Sequence, residues 1–304
     1  WYPTRRLGID FNCTPPSLLN DPNSQFSNSE GSGTISDDNG DLLFYLDEPE
    51  IFNRCHLLMG RLDSFSSSVK TYAIAFKDPG NSSQYYIISA YYDNPPYRGE
   101  LYYTLVDMTL NGGLGGIVPG QNSQLIMDNT FGEAFAIIQH SNKQDMWVVN
   151  GRSGTNNYYA YQVTNSGILP PVISSAGLTY TAPTRGTIKI SPNGKKMVVT
   201  MQQSSAPQLF DFDNTTGIVS NAITLTNGDR HGATFSPDNS KLYIGKNFTG
   251  QIFQYDLCNG NARTLVGTNP GGSGTWLIQN GPDGKIYISP SSGATGITTI
   301  ANPN

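Results

Sequence analysis

The sequence predicts an all-β protein built as a β-propeller, with six blades preferred and seven as the alternative. Three observations support this fold class. A tight turn followed by an apolar run occurs three times in the second half of the chain, at residues 190–199, 235–244 and 280–288. The turn residues Ser191, Ser236 and Gly281 lie 45 positions apart at each step, which is typical of a propeller blade. No stretch combines a helical apolar period with caps, so little helix is expected.

The N-terminal segment, residues 1–30, is predicted to be irregular apart from one alternating stretch at residues 7–11, which we expect to be a strand. The last unit ends with a strand-like run at residues 296–300 and is one strand short. We therefore expect residues 7–11 to lie on the outer edge of the last blade. This pairing would close the ring and remove an open sheet edge.

The first three units follow in order along the chain. Residues 33–45 predict a hairpin, because an Asp-Asn-Gly turn joins two apolar runs. The second unit runs from residue 72 through an Asp-Pro-Gly turn to residue 88 and continues over 101–107. The third unit has apolar runs at residues 135–138, 146–149 and 158–163.

The spacing of the turns supports six units. The first apolar residues after the turns are Leu42, Tyr85, Met146, Met197, Leu242 and Ile286, with steps of 43, 61, 51, 45 and 44 residues. The long second step is interpreted as one blade with a loop inserted around residues 94–97. A seventh blade would have to lie in the irregular N-terminal segment or beyond Asn304. We expect residues 1–304 to form a single propeller domain.

The composition limits the possible partners. Charged residues make up 13% of the chain, about half of the ~25% usual in soluble domains. The net charge is -5 and no Lys/Arg run occurs, which argues against nucleic acid or anionic lipid as partner. No apolar run approaches the ~20 residues needed to span a bilayer. A neutral polar surface of this kind is common on extracellular bacterial modules.

The chain has three cysteines, Cys13, Cys55 and Cys258. No C-x-x-C spacing occurs, so neither zinc nor an iron–sulfur cluster is expected. Two alternatives remain for Cys13 and Cys55, a disulfide between them or two isolated buried thiols. Cys258 is expected to be free.

Six segments carry a resemblance to a known family: residues 1–2 with 7–12, then 30–37, 40–45, 106–115, 209–217 and 300–304. The most specific is Asp-Met-Thr-Leu-Asn-Gly-Gly-Leu-Gly at residues 107–115. These segments resemble a family of Bacteroidetes surface proteins in which a propeller-like module precedes immunoglobulin-like repeats and a gliding-motility-associated or type IX secretion sorting domain. The resemblance implies a secreted or cell-surface protein and a chain that is part of a longer polypeptide. It implies no activity, because it brings no catalytic residues with it.

The candidate catalytic and metal-binding residues are few. No Gly-x-Ser-x-Gly elbow accompanies His56, His140 and His231, so each is expected to be a solitary residue that satisfies turn backbone. The strand-end aspartates Asp107, Asp211, Asp213 and Asp256 are candidates for calcium binding. Capping of the following turn is the favoured interpretation of these aspartates. The glycine-rich segments 112–116 and 271–274 are expected to be mobile loops, because a phosphate-binding loop needs a helix behind it.

Tyrosines crowd the second and third units, at Tyr85, Tyr86, Tyr91, Tyr92, Tyr97, Tyr102, Tyr103, Tyr158, Tyr159 and Tyr161. Strand alternation sends one of each adjacent pair into the core between blades and the other outward. At least half are expected in the core. An exposed tyrosine beside Asn and Ser suits contact with a sugar or a protein, because it offers a flat apolar ring and a hydroxyl.

These features predict a non-enzymatic secreted or cell-surface module that binds a protein or a glycan, or that is a structural part of a larger surface assembly. No catalytic, cofactor-binding or metal-binding residue is assigned. The alternative is a calcium-dependent, lactonase-like hydrolase with its site in the central channel. That alternative needs several acidic, amide or His side chains converging from different blades.

Overall fold

The computed structural model describes residues 7–26, 32–47, 49–63, 72–92, 99–181, 185–201, 206–226, 228, 232–246, 249–269, 275–290 and 297–304. The chain divides into two compact units, Trp1–Glu133 and Ala134–Asn304. The single domain expected over residues 1–304 stays a prediction. Within the described residues, no helix is long and apolar enough to cross a membrane.

The first unit begins with a two-stranded antiparallel hairpin made of β1, Leu7–Asp10, and β2, Ser17–Asn20. The expectation that residues 7–11 complete the last sheet is therefore wrong, because this strand already has a neighbouring partner. Asp10 Oδ1 accepts the Asn12 N–H at 2.9 Å, which starts the turn locally. A hairpin this short also costs less loop-closure entropy than pairing with the far end of the chain.

The first propeller-type sheet has four strands in chain order. They are β3 (Ser32–Ser36), β4 (Leu42–Asp47), β5 (Glu50–Asn53) and β6 (Leu58–Arg61). The predicted turn between β3 and β4 is confirmed: Asp37 Oδ1 accepts the N–H groups of Asn39 and Asp41, each at 2.9 Å. Gly40 follows with φ +88°, a left-handed conformation that glycine adopts without strain.

The second sheet has five strands, because its outer edge is shared by two short strands. They are β7 (Tyr72–Lys77), β8 (Gln84–Tyr92), β9 (Gly99–Asp107), β10 (Gly116–Ile117) and β11 (Gln124–Asp128). Both β10 and β11 pair with β9, at different ends of it. The four-residue α1, Leu110–Gly113, precedes β10 and is the only helix among the described residues, as expected for a chain with little helix.

The core of the first unit lies between these two sheets. Phe44, Leu46 and Ile51 of the first sheet pack against Ile87 and Val106 of the second. All five side chains are at most 1% exposed. The face of the second sheet that carries Ile87 therefore packs toward the first sheet.

The second unit contains four sheets, and the first of these, the third of the chain, repeats the five-stranded pattern. Its strands are β12 (Ala136–Gln139), β13 (Met146–Gly151), β14 (Thr155–Thr164), β15 (Gly167–Ile168) and β16 (Val172–Tyr180). Both β15 and β16 pair with β14. The two prolines at positions 170 and 171, between β15 and β16, carry no backbone N–H, which interrupts the outer strand.

The fourth and fifth sheets have four strands each. The fourth contains β17 (Gly186–Ile190), β18 (Lys196–Met201), β19 (Gln208–Phe212) and β20 (Val219–Thr224). The fifth contains β21 (Ala233–Phe235), β22 (Lys241–Gly245), β23 (Gln251–Asp256) and β24 (Ala262–Thr268). The sixth sheet has three strands among the described residues, β25 (Thr275–Asn280), β26 (Ile286–Pro290) and β27 (Thr298–Ile300).

The repeated turn has a side-chain cause in the fourth and fifth sheets. Ser191 and Ser236 are completely buried, and their hydroxyls accept the N–H groups of Lys196 and Lys241 at 2.9 Å. A serine at the start of the turn therefore satisfies backbone that the tight turn leaves unpaired. This contact is why the same residue type recurs at the same place in the repeat.

Hydrogen bonds also join the turns of neighbouring sheets in the second unit. Asn193 N–H donates to Asn239 Oδ1 at 2.9 Å, which links the fourth sheet to the fifth. Asn280 Nδ2 donates to the Phe235 carbonyl at 3.0 Å, which links the sixth sheet to the fifth. Asp238 N–H donates to Asn304 Oδ1 at 3.2 Å. Consecutive sheets are thus fastened to each other at one end.

The topology is that of a β-propeller with six blades, as predicted. The strands of each sheet run up and down in chain order, and the first strand is the inner one. The inner strands of successive sheets contact each other within each unit: β3 contacts β7 in the first, and β12, β17, β21 and β25 form a contacting series in the second. Apolar clusters fill the spaces between neighbouring sheets.

Candidate functional site

The tyrosines of the second and third sheets divide into two groups. Tyr85, Tyr86, Tyr158 and Tyr161 are at most 7% exposed and lie in the core, as predicted for part of the set. The side chains that remain partly exposed are Tyr91, Tyr102, Tyr103 and Tyr159. Tyr97 lies outside the described residues, as does the loop expected at 94–97. The partly exposed group is the starting point for a binding site.

Tyr91, Glu100 and Tyr102 lie on one face of the second sheet. Tyr91 is directly opposite Glu100 in the pairing of β8 with β9. Directly opposite residues in an antiparallel pair project to the same side, and so do residues two apart on one strand. We call this set the tyrosine–glutamate face. It lies on the side of the sheet that carries Ile87 and packs toward the first sheet.

A short hydrogen bond orders this face. Tyr102 Oη donates to Glu100 Oε2 at 2.6 Å. Burial, and then the hydrogen bond and charge of Glu100, raise the pKa of the Tyr102 phenol well above its ordinary value. The phenol therefore stays protonated and remains a donor at neutral pH. Glu100 Oε1 has no hydrogen-bond partner in the described part of the chain, so it can accept from a ligand.

Two completely buried hydroxyls lie beside this face, on Ser89 and Thr104. Ser89 is paired with Tyr102, and Thr104 is two residues further along β9. Thr104 Oγ1 accepts the Ser123 N–H at 2.8 Å and lies 3.3 Å from Asn122 Oδ1. Ser89 Oγ, in contrast, has no hydrogen-bond partner among the described residues. An unpaired buried hydroxyl is uncommon and costs free energy.

Asn122 fixes the edge of this region. Its Nδ2 donates to the Arg61 carbonyl at 2.9 Å, and its Oδ1 accepts the Asp63 N–H at 3.4 Å. Both partners belong to the end of the first sheet. Thr104 is directly opposite Ile87, so the polar side chains of this face border the apolar core that Ile87 joins.

His140 is a structural residue of the turn after β12. Its Nδ1 accepts the Asn142 N–H at 3.0 Å, so the ring proton is on Nε2, which lies 3.2 Å from the Thr215 carbonyl and donates to it. Both ring nitrogens are thus occupied by backbone. The prediction that this histidine satisfies turn backbone is confirmed.

His56 differs from the prediction, because its ring contacts two side chains. Nε2 lies 3.1 Å from Asp21 Oδ2, and Nδ1 lies 3.2 Å from Tyr45 Oη. Tyr45 is completely buried, and its oxygen also accepts the Gln25 N–H at 3.0 Å. These contacts attach the N-terminal segment to the first sheet. His231 lies outside the described residues.

The strand-end aspartates bind the protein's own donors. Asp107 Oδ1 accepts from the Thr109 N–H at 2.8 Å, Asp213 Oδ1 from the Thr215 N–H at 2.9 Å, and Asp256 Oδ1 from the Cys258 N–H at 3.0 Å. The turn interpretation is confirmed for these three. Asp211 instead binds the Lys196 ammonium and accepts from Asn221 Nδ2 at 2.7 Å. Among the described residues no group of three or more His, Cys, Asp or Glu is placed to hold a metal ion.

The remaining candidates contribute no site. Cys13, Cys55 and Cys258 are free, and all three are exposed, so the expectation of a disulfide or of buried thiols for the first two is wrong. The glycine-rich segment 112–116 overlaps the end of α1, in which Asn111 and Gly112 have left-handed backbone, so no regular helix stands behind it. Segment 271–274 lies outside the described residues.

Sequence reasoning found the tyrosines but missed their polar neighbours. Glu100 lies one residue before the predicted strand 101–107, and it shares the face of Tyr102 because the strand begins earlier, at Gly99. Asn122 lies in a loop, and no local pattern connects it to Arg61. Its role depends on the packing of one sheet against another.

Comparisons with known proteins establish the fold. No protein-family model matches the sequence, and no curated protein matches it. Among solved structures, a glucose dehydrogenase is similar, with a TM-score of 0.52 and 12% identity over 87% of this chain and 95% of the other. A functionally unknown protein from Desulfotomaculum acetoxidans has a TM-score of 0.52 and 14% identity, covering 87% and 78%. A streptogramin B lyase has a TM-score of 0.50 and 13% identity, covering 90% and 79%. At these identities the likeness shows the fold alone.

Proposed function

We propose that the chain is a non-enzymatic secreted or cell-surface module that binds a glycan at the tyrosine–glutamate face. The observation that carries this proposal is the combination of Tyr91 and Tyr102 with Glu100. These groups share one face of one sheet. Two partly exposed aromatic rings and a carboxylate are placed together where no cation is paired with the carboxylate among the described residues.

The chemistry suits a neutral sugar. A phenol ring offers a flat apolar surface to the C–H groups of a pyranose ring at low cost in side-chain entropy. Glu100 Oε1 accepts a hydrogen bond from a sugar hydroxyl, and hydrogen bonds to a charged acceptor are stronger than neutral ones. Because the Tyr102 phenol is held by the other carboxylate oxygen, the site is ordered before the ligand arrives.

Secretion or surface attachment is supported by the resemblance to Bacteroidetes surface proteins and by the low content of charged residues. The calcium-dependent hydrolase is less well supported. It would need carboxylates free to ligate a metal, and Asp107, Asp211, Asp213 and Asp256 are each engaged by donors of the protein itself.

Glycan binding is tested with the purified chain on a glycan array, followed by calorimetric titration of the bound sugar. We expect Tyr102→Ala and Glu100→Gln each to weaken binding by about tenfold or more, which corresponds to ~1.4 kcal/mol. The matched control is Tyr103→Ala on the same strand. Tyr103 is also partly exposed and donates to a side chain, Gln121 Oε1 at 3.0 Å, but it lies on the opposite face. This control should bind as the unchanged protein does.

Two outcomes would contradict the proposal. If no glycan binds to the unchanged chain, the ligand class is wrong. If a glycan binds equally well to Tyr102→Ala and to the unchanged chain, the site is wrong. Circular dichroism of each variant shows whether the fold is retained.

A further inference from the structure

Lys189 occupies an unusual position on the inner strand of the fourth sheet. It is half-buried and lies directly opposite Val198 in the pairing of β17 with β18. Directly opposite residues share a face, so Lys189 lies on the face that carries Val198. Val198 packs in one apolar cluster with Ala233 and Phe235 of the fifth sheet. Lys189 therefore lies at the inner edge of the core between these two sheets.

The equivalent positions in the other sheets of the second unit are uncharged. Lys189 precedes the turn serine of its sheet by two residues. The residues at the same distance from the equivalent turn position are Ile138, Thr234 and Gln279. Lys189 is also the only charged residue on the inner strands β12, β17, β21 and β25. The charge belongs to this one sheet and is not a feature of the repeat.

Three other lysines of the second unit have carboxylate partners. Lys196 pairs with Asp211, Lys241 Nζ lies 2.8 Å from Asp256 Oδ2, and Lys285 Nζ lies 2.9 Å from Asp283 Oδ2. Lys189 has neither an ion pair nor a hydrogen bond in the described part of the chain. The described residues that share its face are uncharged: Val198 and Leu209 on its own sheet, and Ala233 and Phe235 of β21, which pack with Val198.

An ammonium group in such surroundings is disfavoured. Desolvation lowers the pKa of the Lys189 ammonium, because its charged form loses hydration without gaining a partner. A charge that is removed from water without an ion-pair or hydrogen-bond partner strongly destabilises the folded state. Perturbed groups of this kind with partial access to solvent are frequent at binding sites.

We propose that Lys189 is the anchoring cation of a small-molecule site, and that the ligand carries a carboxylate. The side chain is partly accessible, so a ligand can reach the ammonium without unfolding the sheet. One ammonium matches a ligand group with a single negative charge. A phosphate monoester carries about -1.5 to -2 at neutral pH and would be left with excess charge here. The site is separate from the tyrosine–glutamate face, and neither proposal depends on the other.

The test uses the whole chain with its lysines dimethylated by ¹³C-formaldehyde and borohydride, which keeps their positive charge. The Lys189 signal is assigned by its loss in Lys189→Arg and by contacts with the Val198 methyl groups. The control is Lys195, an exposed lysine in the turn that follows the same strand. Sodium acetate is titrated against sodium chloride at equal ionic strength, and a parallel series uses inorganic phosphate.

We expect the Lys189 signal to shift saturably with acetate and its titration midpoint to rise, while the Lys195 signal does not respond. Acetate should also raise the thermal unfolding temperature of the unchanged chain and have no such effect on Lys189→Met. If the Lys189 chemical shift changes no more with acetate than with chloride, the proposed anion site is wrong. A larger response to phosphate than to acetate would overturn the carboxylate assignment. The measurement on the unchanged protein decides the matter even if Lys189→Met does not fold.

Discussion

Trp147 Nε1 donates to the Asn214 carbonyl at 3.0 Å across 67 residues of sequence. The indole belongs to the third sheet and the carbonyl to the turn that follows the third strand of the fourth. The same turn is held by His140 through the Thr215 carbonyl. Trp147 is 2% exposed, so water has little access to its indole N–H, although Asn214 itself is partly exposed.

Replacing Trp147 with Phe should destabilise the chain by about 1–3 kcal/mol, since part of the ring volume is lost and the Asn214 carbonyl keeps only its second donor, the Ser141 N–H at 3.3 Å. Chemical denaturation measures the change in unfolding free energy. The control is Tyr159→Phe on the adjacent strand, whose partly exposed side chain makes no hydrogen bond to the described residues. It should change stability by less than about 0.5 kcal/mol. Equal effects of the two substitutions would show that the indole bond does not matter.

The buried turn serines should contribute to stability by hydrogen bonding. Ser236→Ala removes the acceptor of the Lys241 N–H and should cost about 1–3 kcal/mol, because that N–H is left unpaired in the core. Ser191→Ala should behave alike, since it removes the same contact to Lys196. Ser240→Ala is the control. The Ser240 hydroxyl donates a hydrogen bond to Asp238 Oδ1 at 2.9 Å, but this contact is exposed to solvent. Urea unfolding measures the stability of the three variants. A larger loss of stability in Ser240→Ala than in Ser191→Ala or Ser236→Ala would contradict this account.

Ser89 and Thr104 should respond in opposite ways to loss of their hydroxyls. Ser89→Ala removes a hydroxyl without a partner in the described residues, so stability should stay the same or rise by up to about 1 kcal/mol. Thr104→Val removes the acceptor of the Ser123 N–H and should cost about 1–3 kcal/mol. Thermal and urea unfolding compare the two. A substantial loss of stability in Ser89→Ala would mean that the Ser89 hydroxyl makes a hydrogen bond in solution.

Acid should weaken the turn after β19. Hydrogen bonds from the Thr215 N–H and then from Thr216 lower the pKa of Asp213 in the folded chain. Its unfolded pKa is about 3.9. A carboxylate whose folded pKa is the lower one adds stability above the unfolded pKa, and this stability is lost as pH falls through the folded pKa.

Asp213→Asn should therefore be less stable than the unchanged chain at neutral pH, and the difference should shrink toward about pH 2. Urea unfolding at several pH values measures it. High salt should alter the difference little, because the contacts are short hydrogen bonds and not long-range charge pairs. A difference that is constant over this pH range would contradict the assignment.

The inner hairpins could be predicted from the sequence because their turn residues make local contacts that recur. Ser191 and Ser236 each bind backbone five residues ahead, so the motif and its structural cause lie in one short window. The bounds of the outer strands β20 and β24 could not be predicted. Most of their residues are exposed, so no apolar alternation marks them.

Other features depend on pairing that no local pattern specifies. The partner of residues 7–11 was predicted wrongly because β2, Ser17–Asn20, is exposed throughout and has no strand-like alternation. The tyrosine–glutamate face could be predicted in part, since Tyr102 and Glu100 are two apart. The unpaired state of Ser89 and of Lys189 could not, because it depends on what the neighbouring sheet places opposite them.

The hydrogen bonds between successive turns of the second unit have a mechanical consequence. Asn193 with Asn239, Asp238 with Asn304 and Asn280 with Phe235 couple each sheet to its neighbour at one end. In a repeat protein the coupling between neighbours decides whether units melt singly or together. The last three sheets should therefore resist an applied force as a single cooperative block, and a break in one of these links should appear as an added step in the force–extension trace.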